Sequence, residues 1–94
     1  METFEQRVAR LKETAQEVRF RVVEMIHAAQ SGHPGGSLSA ADIMTALYFD
    51  VLRVDPANPR DPGRDRFVMS KGHACPVYYS TLCLKGFFDV RALL

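Results

Sequence analysis

The chain has 94 residues, 47% hydrophobic, 24% charged and 10% aromatic, with no Trp. A chain of this length buries only about two-thirds of the surface its unfolded form exposes, so it can hold one thin core. Twelve basic against eleven acidic side chains leave a net charge of +1, which speaks against the basic stripe of a nucleic-acid binder and against a polybasic membrane surface.

No apolar run approaches the length of a bilayer span. The opening Met1-Glu2-Thr3 lacks the basic residues that precede a secretion signal's apolar stretch. Cys75 and Cys83 lie in one predicted helix, where eight residues separate them by about 12 Å, too far for a disulfide. Free thiols in a reducing cytoplasm are the expectation.

The first predicted element is a helix from about residue 4 to 31. Thr3 and Gln6 fit a capping box. Val8, Leu11, Ala15, Val18, Val22, Ile26 and Ala29 then recur at alternating three- and four-residue steps as one apolar stripe. Gly32, able to turn left-handed, is the expected stop. So long a helix is expected to find too little apolar cover within this chain.

Residues 31–38 read as a Gly/Pro-rich loop. Ser39 and Asp42 then fit the start of a second capped helix, with Ile43, Met44, Leu47, Tyr48, Val51 and Leu52 as its apolar positions and Pro56 as its end. Residues 53–66 hold three prolines and a glycine among seven charges, which is the composition of a solvated loop. Phe67-Val68-Met69 is consistent with a short buried strand. Ser70-Lys71-Gly72-His73 leads into a third helix with Pro76 in its first turn and Gly86 closing it. Asp89 caps the start of a fourth. The order helix, helix, strand, helix suggests the entry to an α/β domain, mostly helical here with one short strand.

Two glycine-containing turns can carry chemistry. In Ser31-Gly32-His33-Pro34-Gly35-Gly36-Ser37, Pro34 holds His33 extended and glycine admits a ligand close to the backbone. An imidazole there can exchange protons near neutral pH, although a plain inter-helix turn is the commoner use of such a sequence. Ser70-Lys71-Gly72-His73-Ala74 follows the strand candidate, where open parallel sheets bind ligands. His73, a cation and helix amides there suit a phosphate oxygen; a structural strand–helix turn is the equal alternative. Neither turn is a P-loop or a dinucleotide fingerprint. His27 reads as a partly buried, satisfied histidine, and Cys75 as an incidental thiol despite its place near a helix N-terminus. Tyr78, Tyr79, Phe87 and Phe88 read as core or interface residues. No histidine or cysteine spacing matches a zinc site, and no metal ligand is assigned.

Four collinear blocks carry a resemblance. Residues 31–39 (Ser-Gly-His-Pro-Gly-Gly-Ser-Leu-Ser), Asp42-Ile43, residues 53–59 (Arg-Val-Asp-Pro-Ala-Asn-Pro) and residues 64–74 (Arg-Asp-Arg-Phe-Val-Met-Ser-Lys-Gly-His-Ala) resemble the N-terminal stretch of transketolases. The resemblance covers residues from about 14 to 90 and is closest to the type whose two halves are separate polypeptides. It implies that residues 1–94 are the incomplete N-terminal part of a thiamine-diphosphate-binding domain, on its diphosphate side.

By the same resemblance, the parent enzyme moves a two-carbon ketol unit from a ketose phosphate to an aldose. It uses thiamine diphosphate and a divalent metal such as magnesium. His33 takes the substrate-facing, proton-transferring role, and His73 the contact with the cofactor's diphosphate. The family's metal-holding Gly-Asp-Gly segment and its pyrimidine-binding domain fall outside these residues. The chain alone is therefore expected to be inactive and to need a C-terminal transketolase half or a second subunit. The alternatives are a non-catalytic interaction fragment and a piece of an enzyme that makes deoxyxylulose phosphate.

Overall fold

A computed structural model of the chain describes residues 1–30, 32–89 and 91. Three α-helices pack on one another: α1 (Phe4–Ala29), α2 (Pro34–Ala46) and α3 (Cys75–Lys85). A π-helical turn, Leu47–Val51, prolongs α2, and a single 3₁₀ turn, Gly72–Ala74, leads into α3.

The start of α1 follows its sequence signal. Thr3 Oγ1 accepts from the Gln6 amide at 3.0 Å, and the Thr3 amide donates to Gln6 Oε1 at 2.9 Å. The middle of the stripe, Ala15, Val18 and Val22, is buried, while Ala29 at its end is exposed. Phe4, Phe20 and Val23, off the stripe, are exposed as well. The helix ends earlier than the expected residue 31. Gln30 takes the left-handed conformation (φ 53°), and its amide donates to the His27 carbonyl at 3.1 Å. Gly32 is left-handed too (φ 115°), beside the Ile26 side chain. Two left-handed residues so close together reverse the chain before Pro34 opens α2. His27, expected to be partly buried, is exposed in the last turn of α1.

The largest correction concerns α2, which begins at Pro34 and not at Ser39. Proline is well suited to a first helical position because its missing N–H would have had no helical partner there. Gly35 and Gly36 are weak helix formers; Gly36 packs against the 71–74 turn, described below, while Gly35 faces open space. Neither residue of the expected capping box caps. Ser39 Oγ bonds back to the Gly36 carbonyl at 3.0 Å, and Asp42 pairs with Arg19 of α1 at 2.7 Å.

Helical backbone then runs only to Val51, short of Pro56, through a π turn in which the Leu52 amide donates to the Leu47 carbonyl at 2.7 Å. Tyr48, within this turn, is buried in the core. Ile43 and Val51, expected on the apolar face, are instead 64% and 61% exposed. Arg10 fastens this region to α1 by donating to the Phe49 carbonyl at 3.2 Å, and its guanidinium also pairs with Glu2 at 2.8 Å.

The core is the meeting of Val18 and Val22 of α1, Ala41 and Met44 of α2, Tyr48, and Ala74 and Val77 before and within α3. Tyr48, Phe67 and Tyr78 form an aromatic triad with centroids 5.4–6.2 Å apart, Phe67 meeting both tyrosines edge-on. Burial and the Tyr78 hydroxyl, 3.4 Å away, push the Tyr48 phenol well above its ordinary range. An acid whose folded pKa is raised binds its proton more tightly folded than unfolded. Stability is therefore expected to fall as pH rises beyond about 10, where the unfolded tyrosine begins to ionise. Denaturant midpoints measured from neutral to strongly alkaline pH check this, with a shallower alkaline fall expected in Tyr48→Phe.

Among the described residues there is no strand, so the short strand expected at Phe67–Met69 is not formed. The segment is extended and alternates as a strand would, with Phe67 and Met69 turned to the core and Arg66, Val68 and Ser70 outward. No backbone partner completes it among the described residues. A ladder needs a second strand, and the neighbouring elements are helices and the 53–65 loop. That loop is tied at its ends, the Arg53 amide donating to Asp65 Oδ2 at 2.6 Å and the Asp65 amide to the Arg53 carbonyl at 2.9 Å. The Arg53 amide holds the Asp65 carboxyl below the usual carboxylate range.

α3 has Pro76 in its first turn and closes at left-handed Gly86 (φ 108°), as its sequence suggests. Both cysteines are free. Burial pushes the Cys83 thiol up, against a pull downward from Arg21. The expected fourth helix lies mostly outside the described residues. No described helix is long and apolar enough to cross a membrane.

Candidate functional site

The two histidine turns, 40 positions apart, meet at the N-terminal end of α2. His33 is the N-cap residue of that helix, extended at φ −113° and ψ 116° as the following Pro34 requires, and its side chain makes no capping bond. Three positions on, Gly36 faces the second turn. A Cβ on Gly36 would lie 3.1 Å from Lys71 Cε and 3.3 Å from His73 Cδ2, tighter than ordinary contact. The absence of that carbon lets the His73 ring and the Lys71 chain rest on the helix backbone. His33 and His73 therefore flank the same first turn of α2, whose amides have no helical acceptor.

Two further contacts join the turns. Lys71 Nζ donates to the Gly36 carbonyl at 3.0 Å and to Ser39 Oγ at 3.1 Å. Ser37, fully buried, accepts the Val77 amide of α3's first turn at 3.3 Å. These residues were missed in the sequence because Gly35–Ser37 looked like loop. Their one available signal was Pro34, a favoured first helical residue. Ser37→Ala is expected to cost about 1–2 kcal/mol, since the Val77 amide would stay buried without a partner; denaturant unfolding measures it.

His33, Gly35, Lys71, Gly72 and His73 are exposed, so the arrangement is open to solvent and to a ligand. Free helix amides with a lysine and two imidazoles beside them suit an anion, because the helix dipole and the ammonium present the same sign and each imidazole can donate a hydrogen bond. Cys75 lies next to this face, its thiol donating to the Gly72 carbonyl at 2.8 Å. Gly36→Ala is expected to leave stability within about 1 kcal/mol of wild type, because the gain in helix propensity offsets the new crowding. It should nevertheless displace the His73 ring, which the ring's proton resonances would report.

A second concavity, of about 330 Å³, lies elsewhere, between the aromatic triad and Arg64, Asp65 and Val68. Neither histidine lines it. No group of three His, Cys, Asp or Glu side chains among the described residues converges to hold a metal.

The helical scaffold brings two histidine turns to one helix N-terminus, an arrangement suited to an anion. Residues 10–92 match the family described as transketolase, thiamine diphosphate binding domain. An apulose-4-phosphate transketolase subunit from Phocaeicola vulgatus is 52% identical over 71 residues, 76% of this chain and 25% of that protein. The 6-deoxy-6-sulfo-D-fructose transketolase subunit SqwG of a Clostridium species is 45% identical over 83 residues, 88% of this chain and 30% of that protein. Human transketolase is 42% identical over 90 residues, covering 96% of this chain and 14% of the human protein. The chain belongs to the transketolase family and corresponds to its N-terminal, thiamine-diphosphate-binding segment. It spans a third or less of the length of these relatives.

Proposed function

We propose that residues 1–94 are the opening part of the diphosphate-side domain of a transketolase, working in the cytoplasm on sugar phosphates. The observation that carries this reading is the seating of His73 and Lys71 on Gly36, one turn from His33. When bound, thiamine diphosphate supplies the nucleophilic carbon that carries a two-carbon ketol unit from a ketose phosphate to an aldose. His33, exposed and unengaged by its own helix, faces the sugar and exchanges protons with its reacting hydroxyls. His73 donates to a diphosphate oxygen, supported by the free amides of α2's first turn. A divalent metal such as magnesium accompanies the diphosphate and is held by residues other than those described here.

The chain works with a C-terminal transketolase half or a second subunit, and is inactive without it. Two of its relatives carry "subunit" in their names. The extended segment 66–70, with outward Val68 83% exposed and no backbone partner among the described residues, supports a fold completed by further strands. Exposed Phe4, Phe20, Ile43 and Val51 would be covered in the same assembly. These apolar surfaces also favour a second reading, a non-catalytic interaction piece. Following ketol transfer from a ketose phosphate to an aldose, in a mixture of the chain with a transketolase C-terminal half, separates the two. Turnover in the mixture only is the expected result; a complex that forms without turnover supports the second reading.

A further inference from the structure

We infer that Lys71 is a positioning residue, a latch that sets His73 on the first turn of α2. Its ammonium spans from the 71–74 turn to α2, donating to the Gly36 carbonyl and to Ser39 Oγ. Ser39 Oγ in turn donates to the same carbonyl at 3.0 Å, so the three groups close a small hydrogen-bonded ring. Lys71 and His73 are the two side chains that a Cβ on Gly36 would strike, which places both on the same patch of helix backbone. The backbone between them is a single 3₁₀ turn, with the Ala74 amide donating to the Lys71 carbonyl at 2.9 Å. Anchoring one end of so short a turn fixes the direction of the other.

The placement runs against the helix dipole, which disfavours a cation at a helix N-terminus. Two oxygen acceptors on α2 give the ammonium its reason to lie there. The other hydrogen bond between α2 and α3, from the Val77 amide to Ser37, enters beyond the turn, and Ala74 packs the turn's far end into the core; neither touches the His73 ring. Lys71 thus acts through His73. Its effect on the cofactor rests on the proposed diphosphate role of His73, whereas the latch itself does not.

The first test uses the chain without cofactor. A nuclear Overhauser contact between the His73 ring and the Gly36 α-protons is expected in the wild type, lost in Lys71→Met and restored in Lys71→Arg. The second uses the complex with a C-terminal transketolase half. There Lys71→Met is expected to weaken thiamine diphosphate binding about tenfold with little change in kcat at saturating cofactor. Absence of the contact in the wild type, its survival in Lys71→Met, or failure of Lys71→Arg to restore it overturns the latch. A lost contact with unchanged affinity would support the latch and remove His73 from the diphosphate.

Discussion

In a complex reconstituted with a C-terminal transketolase half, His33→Ala is expected to lower turnover by about 10²–10⁴-fold, the usual worth of a positioned acid–base group. Thiamine diphosphate affinity should stay within a few-fold, because the diphosphate contacts are assigned to His73 and the α2 amides. Stability should barely change. His33 is exposed, and as N-cap its side chain holds none of the helix's free amides, so alanine removes no capping bond. Steady-state rates, cofactor titration and a melting curve on one preparation separate these three effects. A loss of turnover below tenfold would take His33 out of the proton transfers.

Met44→Ala is expected to destabilise the chain by about 2–5 kcal/mol, as deletion of a fully buried side chain does. Met44 is 1% exposed and sits where Val18, Val22, Tyr48 and Val77 converge. A domain of this size has only about 5–15 kcal/mol in all, and less when its core is thin. The variant should therefore lose a large share of that total and unfold at a clearly lower denaturant concentration than the wild type. Ile43→Ala, one residue away but 64% exposed, is the control and should stay within about 0.5 kcal/mol. Equal losses in the two variants by denaturant unfolding would mean that the face of α2 has been assigned wrongly.

The sequence made the local signals plain where they are self-contained. The Thr3–Gln6 box, the Ala15–Val18–Val22 stripe and the Gly86 stop each depend on residues a few positions apart, and each is realised. It misled where distant residues decide. Gly35 and Gly36 have poor helix propensity, yet α2 runs through them, and at Gly36 the missing side chain makes room for His73 and Lys71. Ser39 looked like a cap because Asp42 follows at the right spacing, but Asp42 answers to Arg19 on another helix. Ile43 and Val51 looked like core, but both are exposed, while Met44 and Tyr48 of the same expected face are buried. Phe67–Met69 has the alternation of a strand without the partner that would make it one.

The candidate site was legible as two separate turns. His33 and His73 could each be named from glycine-rich context, but nothing in their spacing says that they flank one helix turn. That follows from the close approach at Gly36. Lys71 was invisible as a contact, since its acceptors are a backbone carbonyl and a serine hydroxyl more than 30 residues away.

Calorimetric titration of thiamine diphosphate, with magnesium present, tests the central claim most directly. It should be run on this chain alone and on its mixture with a transketolase C-terminal half. No heat from the chain alone and saturable binding in the mixture are the expected results. Tight binding by the chain alone would contradict the account.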